Sequence, residues 1–314
     1  MAVNLGPMGP GNIDVERAAV FIPEIWSDEV LAAYKRKNVM MPLVRKYPFQ
    51  GKKGDTLHIP VPSRGQATRK QNRTQVNLQY NDAAELLVVV DQHYEYSKLF
   101  EDVMLTQAMS SYRRFFTEDA GYQLSRQIDT DLIQLGRYAN NGAGTNAYAS
   151  AYIGSDGSTL FTGSNEAALT DAAIRRTIQR LDDADVPTDG RFIIIPPVAK
   201  NTLLGMARFT EQAFVGETGA GNSIRNGRVG DIYGMDVYVT PSADTASDGS
   251  RIVLIGHKDA FAIAMQKDIR VQTQNKLEYL GDLLVADVLY GVKAVRVGAQ
   301  AELASAVFAL AVPA

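Results

Sequence analysis

The sequence of 314 residues contains no cysteine, three histidines and a single tryptophan. The absence of cysteine excludes disulfides, thiolate metal sites and cysteine nucleophiles. The net charge of −3 at pH 7 excludes a basic field that would draw the whole chain onto nucleic acid. Stability must therefore come from burial of apolar surface, within one chain or between copies of it.

Long apolar runs are also missing. No stretch of about 18 apolar residues occurs, which argues against a membrane-spanning helix. Residues 1–21 have no basic start, and glycines and prolines interrupt their apolar stretch, so they do not form a signal peptide. We therefore expect a protein without a membrane partner that is made in the cytoplasm.

Motifs for catalysis are scarce. The sequence has no HExxH and no G-x-S-x-G, and a G-x-G-x-x-A match at residues 142–147 follows a helical pattern instead of a strand. Histidines at these spacings are more typical of strands and turns than of metal sites. We predict no catalytic residue, no cofactor and no metal ion, with an enzyme built on His58, His93 and His257 as the remote alternative.

Residues 101–138 carry the strongest helical pattern in the chain. Apolar residues recur at gaps of three and four, from Leu105 to Leu135, and the stretch contains no proline. The pattern predicts a very long helix, either an ordinary core helix or a spine over which other elements lie. Gly121 marks the place where it could break into two.

A long two-stranded hairpin is predicted before this helix. Residues 56–61 and 74–80 alternate apolar and polar side chains, as half-buried strands do, and residues 85–91 form a further β-branched run. The polar stretch 63–72 lies between the first two strands. The hairpin tip is basic and contains no acidic residue; its four cations are Arg64, Arg69, Lys70 and Arg73. Nucleic acid, an acidic patch on a neighbouring subunit, or solvent alone could face this tip.

The remaining elements alternate between helix and strand. Residues 1–22 read as an extended arm, either disordered or folded against a neighbouring copy, and residues 140–164 as an exposed loop or insertion. The glycine-rich stretch 210–231 is predicted to be a functional or disordered loop. Helices are predicted at 27–37, 170–185, 198–208 and 258–265, and strands at 191–196, 235–240, 251–255 and 269–273. Residues 283–297 are strongly apolar, with β-branched residues concentrated towards their end.

Four local sequences, in this order, carry a resemblance to a known family. They are FIPEIWSDEV at 21–30, GDTLHIP at 54–60, LDDADVP at 181–187 followed by the strand at 190–196, and GMDVYVT at 234–240. Together with the order of elements, they resemble the major capsid proteins of tailed bacteriophages, which have the Hong Kong 97-type fold. The resemblance covers about residues 20–300.

The resemblance implies an α+β fold with an N-terminal arm, an extended E-loop hairpin, a P-domain with a long spine helix, and an A-domain. The arm and its helix would occupy residues 1–50, the E-loop 51–91 and the spine helix 92–139. The A-domain would span 140–265, with a possible insertion at 140–164. Residues 266–314 would return to the P-domain.

The function implied by the resemblance is structural and not enzymatic. Pentamers and hexamers of the chain would form an icosahedral shell that encloses double-stranded DNA, within a virion assembled in the host cytoplasm. A cellular, encapsulin-like nanocompartment shell of the same fold is the alternative. Partners would be other copies of the chain, scaffolding and portal proteins, a possible decoration protein, and DNA through weak contacts. Assembly residues would be the four cations of the hairpin tip and an axial loop of the A-domain with Phe214, Asn222, Arg225 and Arg228.

Overall fold

The structure is a computed structural model of the chain. It describes residues 38–49, 54–63, 65, 67–76, 78–79, 84–101, 111–141, 152–163, 165, 167–206, 231–298, 303 and 305–314. The helix predicted at 27–37, the arm at 1–22 and most of the glycine-rich stretch 210–231 lie outside the described residues.

The described residues contain three sheets and three α-helices. The helices are α1 (Ser111–Gln134), α2 (Asp171–Asp183) and α3 (Pro197–Leu204). The strands are β1 (Arg45–Pro48), β2 (Thr56–Val61), β3 (Ala84–Val89), β4 (Gln92–Glu101), β5 (Arg191–Ile195), β6 (Asp231–Ile232), β7 (Met235–Val239), β8 (Arg251–His257), β9 (Phe261–Lys276), β10 (Gly281–Ala294) and β11 (Val307–Val312).

The first sheet has four strands in the order β1-β9-β10-β4, with α1 on one face. Strands β9 and β10 form a long antiparallel hairpin, β4 pairs antiparallel with β10, and β1 runs parallel to β9. The apolar face of α1 packs on this sheet because its buried residues recur every four positions. These residues are Ala120, Leu124, Ile128 and Leu132, which share one core cluster with Ala286, Val288 and Tyr290.

The long helix departs from the predicted range at both described ends, and residues 102–110 lie outside the described residues. Glu101, expected in its first turn, is the last residue of β4 and lies opposite Gly281 of β10. The strand extends this far because β10 offers a backbone partner along its whole length. At the other end, α1 continues as a 3₁₀ turn, Leu135–Asn141. Gly121 does not break the helix.

The second sheet has five strands in the order β11-β8-β5-β7-β6. Every residue of β5 is buried, as its apolar run RFIII predicts, and β5 pairs parallel with β7 and antiparallel with β8. Helix α2 packs on this sheet through Ile174 and Leu181. Thr170 caps α2 as predicted, because its side chain accepts a hydrogen bond of 3.2 Å from the backbone N–H of Ala173.

Two sequence predictions for this region are wrong. The helix expected at 258–265 is a 3₁₀ turn, Lys258–Ala260, followed by β9, because β1 and β10 pair with the start of β9 from both sides. The stretch 140–164, expected to be exposed, is anchored in its described part. Tyr152, Ile153 and Phe161 are buried, and Ile153 exchanges backbone hydrogen bonds with Ala309 and Ala311 of β11.

The C-terminal strand lies in the second sheet. The sequence places residues 266–314 together beside the long helix, and β10 does lie there. Strand β11, in contrast, pairs with β8 from Val307 opposite Gly256 to Val312 opposite Arg251. This part of the chain therefore contributes β9 and β10 to the four-stranded sheet and β11 to the five-stranded sheet.

Candidate assembly surfaces

The third sheet is the predicted hairpin, but it uses a different second strand. Strand β2 pairs antiparallel with β3, from Thr56 opposite Val89 to Val61 opposite Ala84. The base of the hairpin packs against the four-stranded sheet on the face that α1 leaves open. There Val88, Val90 and Phe49 surround Ala264 of β9. Gly291 makes this approach possible, because a Cβ there would overlap the carbonyl oxygen of Val89.

The prediction that residues 74–80 form the second strand is wrong. Its described residues, 74–76 and 78–79, lie in no strand. The apolar side chains that suggested alternation are exposed, Val76 at 62% and Leu78 at 76%. Within the described residues, these side chains pack against no core of their own subunit. The alternating pattern was therefore misleading, because it suggested a half-buried strand.

The basic loop of this hairpin is exposed throughout its described part. Arg69, Lys70 and Arg73 are all exposed, and Arg64 lies outside the described residues. Arg73 adopts a left-handed backbone, with φ of 64°, in a turn closed by hydrogen bonds from Thr74 to the carbonyl oxygen of Gln71. The loop therefore presents cations next to exposed apolar side chains.

A second exposed apolar surface lies at the tip of the β9–β10 hairpin, and the sequence analysis missed it. A 3₁₀ turn, Leu277–Tyr279, connects the strands, and Leu280 follows with φ of 44°. Leu277 is 83% exposed, Tyr279 62% and Leu280 68%. The available signal was the motif LEYLG between two strand patterns, since a soluble turn seldom places three large apolar residues together.

The outer part of the four-stranded sheet has a polar face opposite α1. Asp287 of β10 lies between Arg270 of β9 and Glu95 of β4 in the strand register. Arg270 donates two hydrogen bonds to the Asp287 carboxylate, of 2.6 and 2.9 Å, and His93 lies 3.6 Å from it. The guanidinium of Arg270 lowers the pKa of Asp287 below its ordinary value. Burial has the opposite effect on this carboxyl, but it is the weaker cause.

The predicted axial residues Phe214, Asn222, Arg225 and Arg228 lie outside the described residues. The segments that flank their loop are described: α3 precedes it, and the β6–β7 turn follows it. Tyr233 in that turn, with φ of 52°, donates a hydrogen bond to Asp171 at the start of α2. Asp171 also accepts a bond of 2.9 Å from Arg175, so the C-terminal root of the loop is fixed to α2.

The three histidines are not brought together. His58 is in β2, His93 in β4 and His257 in β8, so each belongs to a different sheet. Each lies beside a carboxylate, of Glu85, Asp287 and Asp259 respectively. Across the described ranges, no three acidic or histidine side chains are grouped as metal ligands would be. No described helix is long and apolar enough to cross a membrane.

Comparisons with known proteins find phage capsid proteins. A family model described as phage capsid protein matches residues 102–300. A solved structure from Mycobacterium phage Che8 is 20% identical, with a TM-score of 0.70 over 92% of this chain and 97% of its own. The capsid structure of the cyanophage P-SCSP1u is 15% identical, with a TM-score of 0.75 over 99% of this chain and 98% of its own. No curated protein matches the sequence.

The mature capsid of bacteriophage PhiM1 is a further neighbour, 14% identical, with a TM-score of 0.68 over 93% of this chain and 92% of its own. At these identities the neighbours establish the fold, and the Hong Kong 97-type fold predicted from the sequence is confirmed. Because the family model covers more than half of the sequence, the chain belongs to the phage capsid protein family and is a structural protein of a bacteriophage virion.

Proposed function

We propose that this chain assembles into pentamers and hexamers, which close into an icosahedral shell around double-stranded phage DNA. The observation that supports this most is the placement of large exposed apolar side chains on two projecting hairpins. Val76 and Leu78 lie on one, and Leu277, Tyr279 and Leu280 lie on the other. Grouped apolar exposure of this kind marks a protein–protein contact.

The hairpin at 51–91 would act as the E-loop and lie over a neighbouring subunit. Its exposed cations Arg69, Lys70 and Arg73, together with Arg64, would pair with acidic side chains there, while Val76 and Leu78 would be buried. Obligate interfaces of this sort bury more than ~2,000 Å². Much of the shell's cohesion would then come from surface that a single subunit cannot cover.

The axial loop would close each pentamer or hexamer at its centre. Phe214, Asn222, Arg225 and Arg228 would contact their equivalents in neighbouring subunits. The bond between Tyr233 and Asp171 supports this role, because it gives the loop a fixed root on α2. Residues 1–50 would supply the arm that reaches another subunit, 92–139 and 266–314 the P-domain, and 140–265 the A-domain.

Contact with DNA would be weak and independent of base sequence. The chain has 32 basic and 35 acidic side chains, so it lacks the surplus of cations that strong phosphate binding requires. Weak contact suits a shell that must take up and release its genome. Scaffolding and portal proteins would join the chain during assembly in the host cytoplasm, with a decoration protein as a further candidate partner.

The test is assembly of the purified full-length chain, alone and with a scaffolding partner, followed by negative-stain electron microscopy. Capsomers or closed shells are expected. A chain that stays monomeric under every assembly condition would contradict the proposal. Nuclease-protected double-stranded DNA in particles from infected cells would separate a genome shell from a nanocompartment, which would enclose protein cargo instead.

A further inference from the structure

The first described residues enter the core at one point on α1. Val39 is 6% exposed and Met40 is fully buried, and both belong to the core cluster that contains Ile128 and Leu132 of α1. A single 3₁₀ turn, Met41–Leu43, follows and leads directly into β1. This short segment connects residues 1–37 to the body of the subunit.

A buried carboxylate on α1 holds this segment. Asp129 is 2% exposed, and its Oδ1 atom accepts a hydrogen bond of 2.9 Å from the backbone N–H of Val39 and one of 2.7 Å from that of Met40. The turn makes its own bond from the N–H of Leu43 to the carbonyl oxygen of Met40. Met40 is the N-cap residue of the turn and Val39 precedes it, so the turn itself offers their two N–H groups no partner.

Asp129 therefore caps this turn from a distant part of the sequence. Met40, in the N-cap position, provides no side-chain hydrogen bond, whereas Asp129 does so from 90 residues away in the sequence. In an ordinary N-cap, the side-chain oxygen of the N-cap residue accepts a hydrogen bond from an N–H two or three residues later in the same segment. A cap from another element fixes the turn to that element as well as satisfying its N–H groups.

The carboxylate both stabilises this position and orients it. An apolar side chain there would leave two buried N–H groups unpaired, and the two hydrogen bonds compensate for burial of the charge. Apolar packing is not directional. Two bonds from consecutive N–H groups to one oxygen atom define both the position and the direction of the backbone.

The consequence concerns the chain upstream. Without the cap, residues 38–44 could separate from α1 as far as β1, which would add seven residues of free chain, or about 24 Å of reach. An arm whose attachment point can move reaches its target at a lower effective concentration than an arm attached at a fixed, suitable distance.

We propose that Asp129 is a positioning residue for assembly, which fixes the point where residues 1–37 leave the subunit and so selects the neighbour that they contact. This inference rests on the proposed function, in which the arm contacts another copy. It adds a specific residue and a mechanism: a cap in the core of one subunit determines a contact between subunits.

The test compares full-length variants by the protein concentration at which shells form. Asp129→Leu removes the acceptor, Asp129→Asn retains one acceptor oxygen, and Tyr290→Phe is a matched control. Tyr290→Phe deletes another buried bond to α1, from the Tyr290 hydroxyl to Asp131 at 2.6 Å, without touching residues 38–44. Amide hydrogen exchange of Val39 and Met40 in the unassembled subunit reports on the cap directly.

We expect Asp129→Leu to abolish protection of these two amides and to raise the concentration for assembly about tenfold. Asp129→Asn should stay near the wild-type value, and Tyr290→Phe should lower the melting temperature without raising this concentration. If Asp129→Leu does not fold, Asp129→Glu, which moves the carboxylate by one methylene, replaces it in every comparison.

One result would overturn the inference while wild-type shells still form. It is an assembly defect of Asp129→Leu no larger than that of Tyr290→Phe at equal loss of melting temperature. A wild-type chain that forms no shells would overturn the proposed function and this inference with it.

Discussion

Arg137 binds Asp244 through two hydrogen bonds of 2.8 Å, and Tyr152 donates a third, of 2.9 Å, to the same carboxylate. Arg137 follows the end of α1, whereas Asp244 lies between β7 and β8 of the five-stranded sheet. About 10 Å earlier along the helix, the carboxylate of Asp131 in α1 accepts a hydrogen bond from the hydroxyl of Tyr290 in the four-stranded sheet. The long helix is thus bonded to both sheets through polar side chains as well as apolar contacts.

The Arg137–Asp244 pair should be a strong stabilising contact. The Arg137 side chain is 20% exposed and that of Asp244 only 7%. Removal of one partner from a buried pair leaves the other charge uncompensated, so Arg137→Leu should lower the free energy of unfolding by about 3 kcal/mol. Urea denaturation of the unassembled subunit measures this.

The control for that prediction is an exposed pair on the same helix. Arg114 and Glu118 form an ion pair of 2.9 Å, with side chains 83% and 59% exposed. Because solvent screens such pairs, Arg114→Leu should change the free energy of unfolding by less than about 0.5 kcal/mol. Equal effects of the two substitutions would show that the Arg137 bonds are no stronger than a surface contact.

Acid should weaken the four-stranded sheet through Asp287. Hydrogen bonds from Arg270 lower the pKa of this carboxyl, so its contribution to stability is complete above the ordinary aspartate value of about 3.9. That contribution is lost as the pH falls below this value and through the lower pKa of the folded state. The melting temperature of the wild type should therefore fall more steeply below about pH 4 than that of Asp287→Asn. Parallel slopes for the two proteins would contradict this account.

Two glycines should respond in opposite directions to replacement by alanine. At Gly121 in α1, a Cβ would meet nothing within 4 Å, and alanine is the better helix former, so Gly121→Ala should raise the free energy of unfolding by about 0.5–1 kcal/mol. At Gly291, a Cβ would overlap Val89, so Gly291→Ala should lower it by more than about 1 kcal/mol. Thermal melts of both variants provide the comparison, and a stabilised Gly291→Ala would disprove the tight packing of the hairpin base.

Elements with a strong local pattern could be predicted from the sequence. The apolar run of β5, the alternation of β2 and the cap of α2 at Thr170 all determine their structure within a few residues. Strand β9 could not be predicted as a whole, because FAIAMQ is compatible with a buried helix as well as a strand. It forms a strand because it pairs with both β1 and β10, and β1 lies more than 200 residues earlier in the chain.

The candidate surfaces were predictable only in part, for the same reason. A run of cations without acids, such as Arg69 to Arg73, indicates an exposed loop whatever the fold. Apolar side chains are ambiguous, because Val76 and Leu78 alternate as a half-buried strand would, yet remain exposed in the single subunit. The tip residues Leu277 and Leu280 could not be distinguished from core residues until the β9–β10 register placed them beyond the end of the sheet.

Deletion of residues 63–72 should separate folding from assembly. The described residues of this loop are mostly exposed, and the β2–β3 ladder and its contacts to Ala264 lie outside the deletion. The subunit should keep its melting temperature within a few degrees and lose the ability to form shells, measured by sedimentation and electron microscopy. A subunit that no longer folds would show instead that the loop belongs to the core.

The tip of the β9–β10 hairpin should behave in the same way with substitutions alone. Leu277→Gln combined with Leu280→Asn removes two exposed apolar side chains, and asparagine tolerates the left-handed backbone of position 280. Surface changes of this kind alter the free energy of unfolding by no more than about 0.5 kcal/mol, so any loss of shell formation reflects a lost contact between subunits. Leu160→Gln is the matched control, because Leu160 is 53% exposed and pairs with Ile153, which is itself paired with Leu310 in the five-stranded sheet. Shells from the tip variant at the wild-type protein concentration, or a defect of equal size in Leu160→Gln, would remove the tip from the set of assembly surfaces.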